Sequence, residues 1–229
     1  MLTMICLIAN GRSGTNALYY NLFHLPKEYN TKEPWKNLKL RGQKQFTEKK
    51  NMCRKLKMFH IKPGQHTELG PKELVDLLIK NDIKNFVILK RMNIIAILVS
   101  DAFLSRKKLT KCNKCTITKY DFEKALKIFY WYENECIKYL NTKTEEVKYL
   151  ELIFEEDIKN DITIALNKVK NNFTTIPNSD YITKSPKQSE LPFHAKHTAL
   201  KDKRSLSEKI ENIDEVRDFL GEKYKWMLE

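Results

Sequence analysis

The sequence predicts an α/β domain with a central, mostly parallel sheet flanked by helices. Short apolar runs of strand length alternate with helical patterns along the chain, the arrangement that builds such a sheet. A content of 41% hydrophobic and 10% aromatic residues over 229 positions is enough for one core of ordinary size. The first apolar run breaks at once into a glycine-containing turn and resumes with helical spacing.

Residues 3–9 read as the first strand. A helix from about Ser13 to Leu25 places Ala17, Leu18, Leu22 and Leu25 on one face, and Pro26 stops it. KMFHIK, 57–62, reads as a second short strand. Pro71 opens the next helix, PKELVDLLIK, where its missing N–H costs nothing. FVIL, Phe86 to Leu89, is the third strand, and Asn93 is placed to cap a helix through IIAILVSDAFLSRKK. Thr118 is placed to cap one long helix, YDFEKALKIFYWYENECIKYL.

VKYLEL, 147–152, is a further strand leading into FEEDIKNDITIALNKV. That stretch reads as one helix whose Glu155, Glu156 and Asp157 complement the positive end of its own dipole. Residues 171–204 hold three prolines with many Ser, Thr and Lys, and read as a long loop suited to a lid or a substrate contact. LSEKIENIDEVRDFL makes a terminal helix. No internal repeat divides the chain, so a single domain over residues 1–229 is expected.

Lys plus Arg outnumber Asp plus Glu by 42 to 29, a net charge of +13 that draws anions toward the surface. The excess is lysine spread along the chain, so charge alone selects no partner among nucleic acid, an anionic membrane face and a phosphorylated cofactor. MLTMICLIA has neither a basic segment before it nor a small-residue cleavage site after it, and fits a buried strand better than a signal peptide. No run approaches the ~18 apolar residues of a membrane span. Five cysteines, odd in number and scattered, make no disulfide framework, so a cytoplasmic setting is expected. Cys112 and Cys115, in CNKC, lack a second ligand pair, and no metal site is expected.

The turn after the first strand is ANGRSGTNAL. A strand, a tight turn and a helix start gather unpaired backbone N–H groups around one point, which is an anion site. Gly11 and Gly14 let the backbone come close to a phosphate, Ser13 and Thr15 add hydroxyl donors, and Arg12 supplies charge. The signature G-x-x-x-x-G-K-[ST] is absent, because no lysine follows Gly14.

ANGRSGTNAL resembles the 5′-phosphosulfate-binding loop of the sulfotransferases that use 3′-phosphoadenosine-5′-phosphosulfate (PAPS). VILKRMNIIAILVSDAFLSRK resembles their second signature, a strand ending in Arg followed by a helix carrying a Ser nine places on. VKYLELIFEEDIKND is similar to their next strand and helix start, with Phe154 where tyrosine is usual. LSEKIENIDEVRDFLGEKYKWMLE is similar to their terminal N-x-x-E helix. The spacing is that of the bacterial, lipopolysaccharide-type branch.

The resemblance implies a single P-loop-like domain. It implies that Gly11, Arg12, Ser13, Gly14, Thr15 and Asn16 hold the phosphosulfate end, and that Arg91 and Ser100 hold the 3′-phosphate. The product would be 3′-phosphoadenosine 5′-phosphate (PAP). The residues by themselves are compatible with this, since a nucleotide phosphorylated at both ends needs two anion cradles. Each cradle is expected to combine a strand end, an arginine and a helix N-terminus carrying a hydroxyl.

Sulfuryl transfer requires alignment of an oxygen nucleophile and stabilisation of spreading negative charge, a role suited to Arg12. Two residues are candidates for the general base, Glu33 in NTKEPW and His60 in MFHIKPG. Glu33 is preferred because the Arg91 to Ser100 spacing matches the branch that carries a Glu there. The expected acceptor is a hydroxyl of a carbohydrate, a lipid or a small molecule. Two other functions are compatible with parts of the chain: a P-loop-type nucleotide phosphotransferase, disfavoured by the missing lysine, and a basic nucleic-acid-binding module. The latter would explain +13, but no zinc finger, RNA-binding signature or recognition helix accompanies it, so no nucleic-acid partner is expected.

Overall fold

The computed structural model describes residues 5–15, 17–18, 58–62, 67–105, 110, 113–173 and 203–229. Its strands are β1 (Ile5–Ala9), β2 (Met58–Ile61), β3 (Asn85–Lys90) and β4 (Lys148–Ile153). Its helices are α1 (Pro71–Lys80), α2 (Ile94–Ser105), α3 (Lys119–Ala125), α4 (Trp131–Asn141), α5 (Phe154–Asp157), α6 (Ile162–Asn172), α7 (Leu206–Lys209) and α8 (Ile213–Tyr224). The strands form one parallel sheet in the order β2-β1-β3-β4. The α/β class with a parallel sheet and flanking helices is the one expected from the alternation of patterns.

Every residue of β1 is buried, because β1 is an inner strand and side chains from both of its faces enter a core. Cys6 and Ile8 join Phe86 and Ile88 against Leu74 and Leu78 of α1 and Tyr132, Cys136 and Leu140 of α4. Ile5, Leu7 and Ala9 alternate to the other face, with Val87, Leu89, Leu18 and Ala165, Leu166 and Val169 of α6. Full burial of each such aliphatic side chain contributes roughly 1.5–3 kcal/mol, and it is the period of two that assigns them to faces.

α2 belongs to a third cluster, packed with Phe122 of α3, Val216 and Leu220 of α8, and Ile117 and Met227. It is apolar nearly all round, as a helix covered on several sides must be. Its first turn is capped as the residue type predicts: Asn93 Oδ1 accepts the Ala96 N–H at 2.8 Å. Thr118 caps α3 in the same way, accepting from the Asp121 N–H at 3.1 Å.

Three expected helices differ in detail. The long helix after Thr118 contains a π-helical turn, Leu126–Tyr130, between α3 and α4. The Tyr130 hydroxyl at the end of that turn donates to the Met92 carbonyl at 2.8 Å, a tertiary contact beyond the reach of helical periodicity. The helix expected to run from Phe154 through Val169 breaks after Asp157, because Asp161 caps a new helix by accepting from the Thr163 N–H at 2.9 Å.

The terminal helix breaks at Ile210, where the backbone bridges to Cys115: Cys115 N–H donates to the Lys209 carbonyl at 2.8 Å and Glu211 N–H to the Cys115 carbonyl at 2.9 Å. Asn212 extends this bridge, accepting from the Ile117 N–H and donating to its carbonyl, and its Nδ2 also meets Glu215 at 2.9 Å. The N-x-x-E pattern therefore fastens α8 to residues 115–117. Cys115 is buried. Cys112 lies outside the described residues.

Candidate functional site

β1 ends at Ala9, and the chain turns through Asn10, Gly11, Arg12, Ser13 and Gly14 before a helical turn starts at Thr15. Leu18 N–H closes that turn on the Gly14 carbonyl at 3.0 Å. So sharp a reversal uses left-handed backbone at two residues, Arg12 at φ +68° and Gly14 at φ +81°. Glycine adopts this freely, whereas Arg12 does so at a cost of roughly 1–2 kcal/mol.

Two contacts from distant elements hold Arg12. Arg91, just past β3, donates Nη1–H to the Arg12 carbonyl at 2.7 Å. The Arg12 side chain reaches α2, where its Nε–H donates to Ser100 Oγ at 2.8 Å. Arg12, Ser100 and Arg91, expected to belong to two separate cradles, thus form one connected group.

Gly14 has a second role. A Cβ there would lie 2.7 Å from Cδ2 of Phe154, so only glycine lets that ring close on the loop. The same ring lies under the Arg91 guanidinium, 4.5 Å from carbon to ring centroid. Phe154 thus touches both Gly14 and Arg91. Around Gly11, by contrast, an added Cβ would meet nothing within 4 Å among the described residues.

The electrostatics favour an anion. Burial pulls the pKa of Arg12 below its ordinary value, with Asp101 opposing, and it does the same to Arg91, with Glu155 opposing and Arg12 adding to the fall. Both remain protonated, since arginine does not deprotonate in proteins. Their carboxylate neighbours stand 3.9 Å from each Nε, Asp101 beside Arg12 and Glu155 beside Arg91. Those distances are too long for hydrogen bonds, so the guanidinium N–H groups are not taken up by them. Burial raises the pKa of Asp101, while Arg12 and Lys62 pull it back down.

Three buried side-chain atoms have no hydrogen-bond partner among the described residues: Asn10 Oδ1, Ser13 Oγ and Arg91 Nε. Two belong to the loop, and the third belongs to the arginine that grips it. Leaving such a group unsatisfied costs about 1–3 kcal/mol, and folded proteins keep few of them without a ligand, water or functional reason. Ser13 is fully buried and Thr15 nearly so, while Gly11 and Arg12 are partly exposed.

The second cradle is built differently from the expectation. Its helix N-terminus is not offered to a ligand: Glu155 accepts the N–H groups of Met92 and Asn93 at 2.9 and 3.0 Å, and Asn93 takes that of Ala96. Glu155 therefore complements the dipole of α2 as well as standing in the first turn of its own helix. Asp157 stays at the start of its own helix, accepting the N–H of Ile153, the residue before α5, at 2.8 Å and pairing with Lys168 at 2.8 Å. What remains at the second cradle is side chains. Arg91, Val99, Ser100, Phe103, Leu206 and Lys209 line a hollow of about 160 Å³ whose lining is mostly apolar and includes two basic side chains.

His60 stands in β2, paired in register with Leu7 of β1. Asn16 and Glu33 lie outside the described residues. Asn10, Asp101 and Glu155 lie inside the motif stretches without a site role implied there, and Glu133 lies outside them. Asp101 had a readable signal, because Ser100 and Asp101 are the adjacent polar pair inside α2's apolar run. Glu133 is 3% exposed in α4 and meets the Asn10 carboxamide at 2.6 Å, a contact 123 residues apart in sequence.

No family model matches the chain, and no curated protein or solved structure matches it either. No helix among the described residues is long and apolar enough to cross a membrane.

Proposed function

We propose that this chain is a PAPS-dependent sulfotransferase, a single P-loop-like domain that moves a sulfuryl group to a hydroxyl of a carbohydrate, lipid or small molecule. The observation that carries the reading is the set of buried, unpartnered polar atoms around the loop that Arg12 and Arg91 lock in place. Ser13 Oγ and Arg91 Nε are donors in need of an acceptor, which is what phosphate and sulfate oxygens provide.

PAPS supplies an activated sulfuryl group on a phosphate leaving group. In this reading Arg12, Ser13, Thr15 and the loop backbone hold the phosphosulfate end, while Arg91 and Ser100 hold the 3′-phosphate with Lys209 across the hollow. Val99, Phe103 and Leu206 give the nucleoside an apolar wall. Donors fixed in advance stabilise negative charge as it spreads onto the leaving oxygens, without reorganising during transfer. The acceptor's proton passes to a general base, Glu33 by preference and His60 otherwise. A cytoplasmic setting is part of the proposal, in keeping with the free thiols of Cys6 and Cys136.

The test is transfer of labelled sulfate from PAPS to a panel of hydroxylated acceptors. Label appearing on an acceptor at a rate proportional to protein supports the reading; none on any acceptor, with PAPS intact and bound no better than ATP, overturns it. Transfer that survives Glu33→Gln but is lost in His60→Ala assigns the base to His60.

A further inference from the structure

The chemistry of Asn10 runs against its setting. It is 3% exposed at the end of β1, its Nδ2 faces Glu133 Oε1 at 2.6 Å, and its Oδ1 has no partner among the described residues. A buried carbonyl oxygen on this loop would repel the anion that Arg12 and Arg91 attract.

The length of the contact points to a resolution. At 2.6 Å it is shorter than ordinary N–H···O bonds but typical of O–H···O bonds. A carboxamide turned by half a turn about its last torsion keeps its shape and exchanges its nitrogen for its oxygen. Oδ1 then faces Glu133 and receives the carboxyl O–H, and Nδ2 stands where the unpartnered oxygen stood. Two N–H donors replace a repelling acceptor.

We propose that neutral Glu133 donates its proton to Asn10 Oδ1, turning Nδ2 into the loop as a donor to a bound oxyanion, and that ionisation of Glu133 reverses the carboxamide and weakens the site. An ionised carboxylate can only accept, so it draws Nδ2 back to itself and leaves the oxygen facing the ligand. The proton lost goes to solvent, and no covalent bond of the chain changes. Glu133 is thus a positioning residue and Asn10 a ligand-contacting one. The inference rests on the oxyanion-site reading above, though not on the identity of the nucleotide.

The groups around Glu133 are consistent with a neutral acid. Lys90, at the end of β3, is held by Glu151 of β4 at 2.6 Å rather than by Glu133. Burial pushes Glu133 up to about 8, with Lys90 and Asn10 pulling down and Glu151 pushing up. Tyr130 in the π turn and Cys136 one turn along α4 are both pushed well up, mainly by burial, and stay neutral alongside it.

The experiment is an NMR titration of the full-length chain with inorganic sulfate from about pH 7 to about pH 9.5, a range above histidine and far above the sulfate pKa. Wild-type affinity falls about tenfold over that range, the equivalent of one lost charge-assisted hydrogen bond, while Glu133→Gln binds sulfate equally at both ends. An unchanged wild-type affinity, or an equal fall in Glu133→Gln, overturns the proposal.

Infrared spectra of the same proteins give a readout that does not depend on binding. A protonated carboxyl band present at about pH 7, lost by about pH 9.5 and missing from Glu133→Gln supports the assignment. The same band, unchanged by pH or by the substitution, counts against it. Sulfate binding that follows this pH profile, with PAP bound no better than ATP, would retain the switch and discard the sulfotransferase reading.

Discussion

Arg91 Nη1 donates to the main-chain carbonyl of Arg12 at 2.7 Å, tying the end of β3 to the loop after β1 across 79 residues. Its guanidinium also lies over Phe154 and within 3.9 Å of Glu155, so one planar group serves three neighbours. Lysine keeps the charge but lacks the planar fork that donates and stacks together. Arg91→Lys is expected to weaken PAP binding by about tenfold or more, about 1.4 kcal/mol. Titration calorimetry checks this.

Gly14→Ala introduces a Cβ at φ +81° and 2.7 Å from the Phe154 ring. The backbone term alone is roughly 1–2 kcal/mol, and the ring that meets the new Cβ is the one on which Arg91 lies. The expected result is a lower Tm and weaker PAP binding. Gly11→Ala, with open space around its Cβ, is expected to leave Tm nearly unchanged. Thermal unfolding of the two variants side by side reads the difference.

Glu155→Ala removes the acceptor for the N–H groups of Met92 and Asn93 and the carboxylate beside Arg91. Loss of a partly buried helix cap of this kind costs about 2 kcal/mol. For a domain of this size that corresponds to a Tm lower by several degrees, about 2–4 °C per kcal/mol. Glu156→Ala, one residue on and exposed, is the control and should not move Tm.

Glu133 also predicts how stability varies with pH. Its pKa is raised in the folded protein to about 8, so between the unfolded value and 8 the native state holds a proton that the unfolded chain has released. The native state binds more protons in that window, and stability therefore falls as pH rises through it. Urea midpoints should decline from about pH 5 to about pH 8, and Glu133→Gln should decline less. A wild-type midpoint that climbs over this range, with Glu133→Gln matching it, would be the opposite result.

Much of the site was legible because its signals are local. A strand run broken by Asn10-Gly11 and resuming after Gly14 marks the turn, and Asn93 and Thr118 cap the helices that follow them. What was not legible depends on tertiary partners. Glu155 reads as the first-turn acid of its own helix, and only the pairing of β4 with β3 brings it to Met92 and Asn93 as well. The break at Ile210 depends on Cys115, and Glu133 gains meaning only because Asn10 lies against it. Phe154 looks like an ordinary aromatic until Gly14 and Arg91 are found against its ring.

The proposal that this loop, with Arg91, Ser100 and Lys209, holds a nucleotide phosphorylated at both its 3′ and 5′ ends is open to direct measurement. Its most direct test is calorimetric titration of the full-length chain with PAP, ATP and adenosine 5′-phosphate under one set of conditions. PAP is expected to bind with a Kd on the order of micromolar or tighter, at least tenfold tighter than either of the others, and to lose that binding in Arg91→Ala. Equal affinity for PAP and ATP, or PAP binding unaffected by Arg91→Ala, would contradict it.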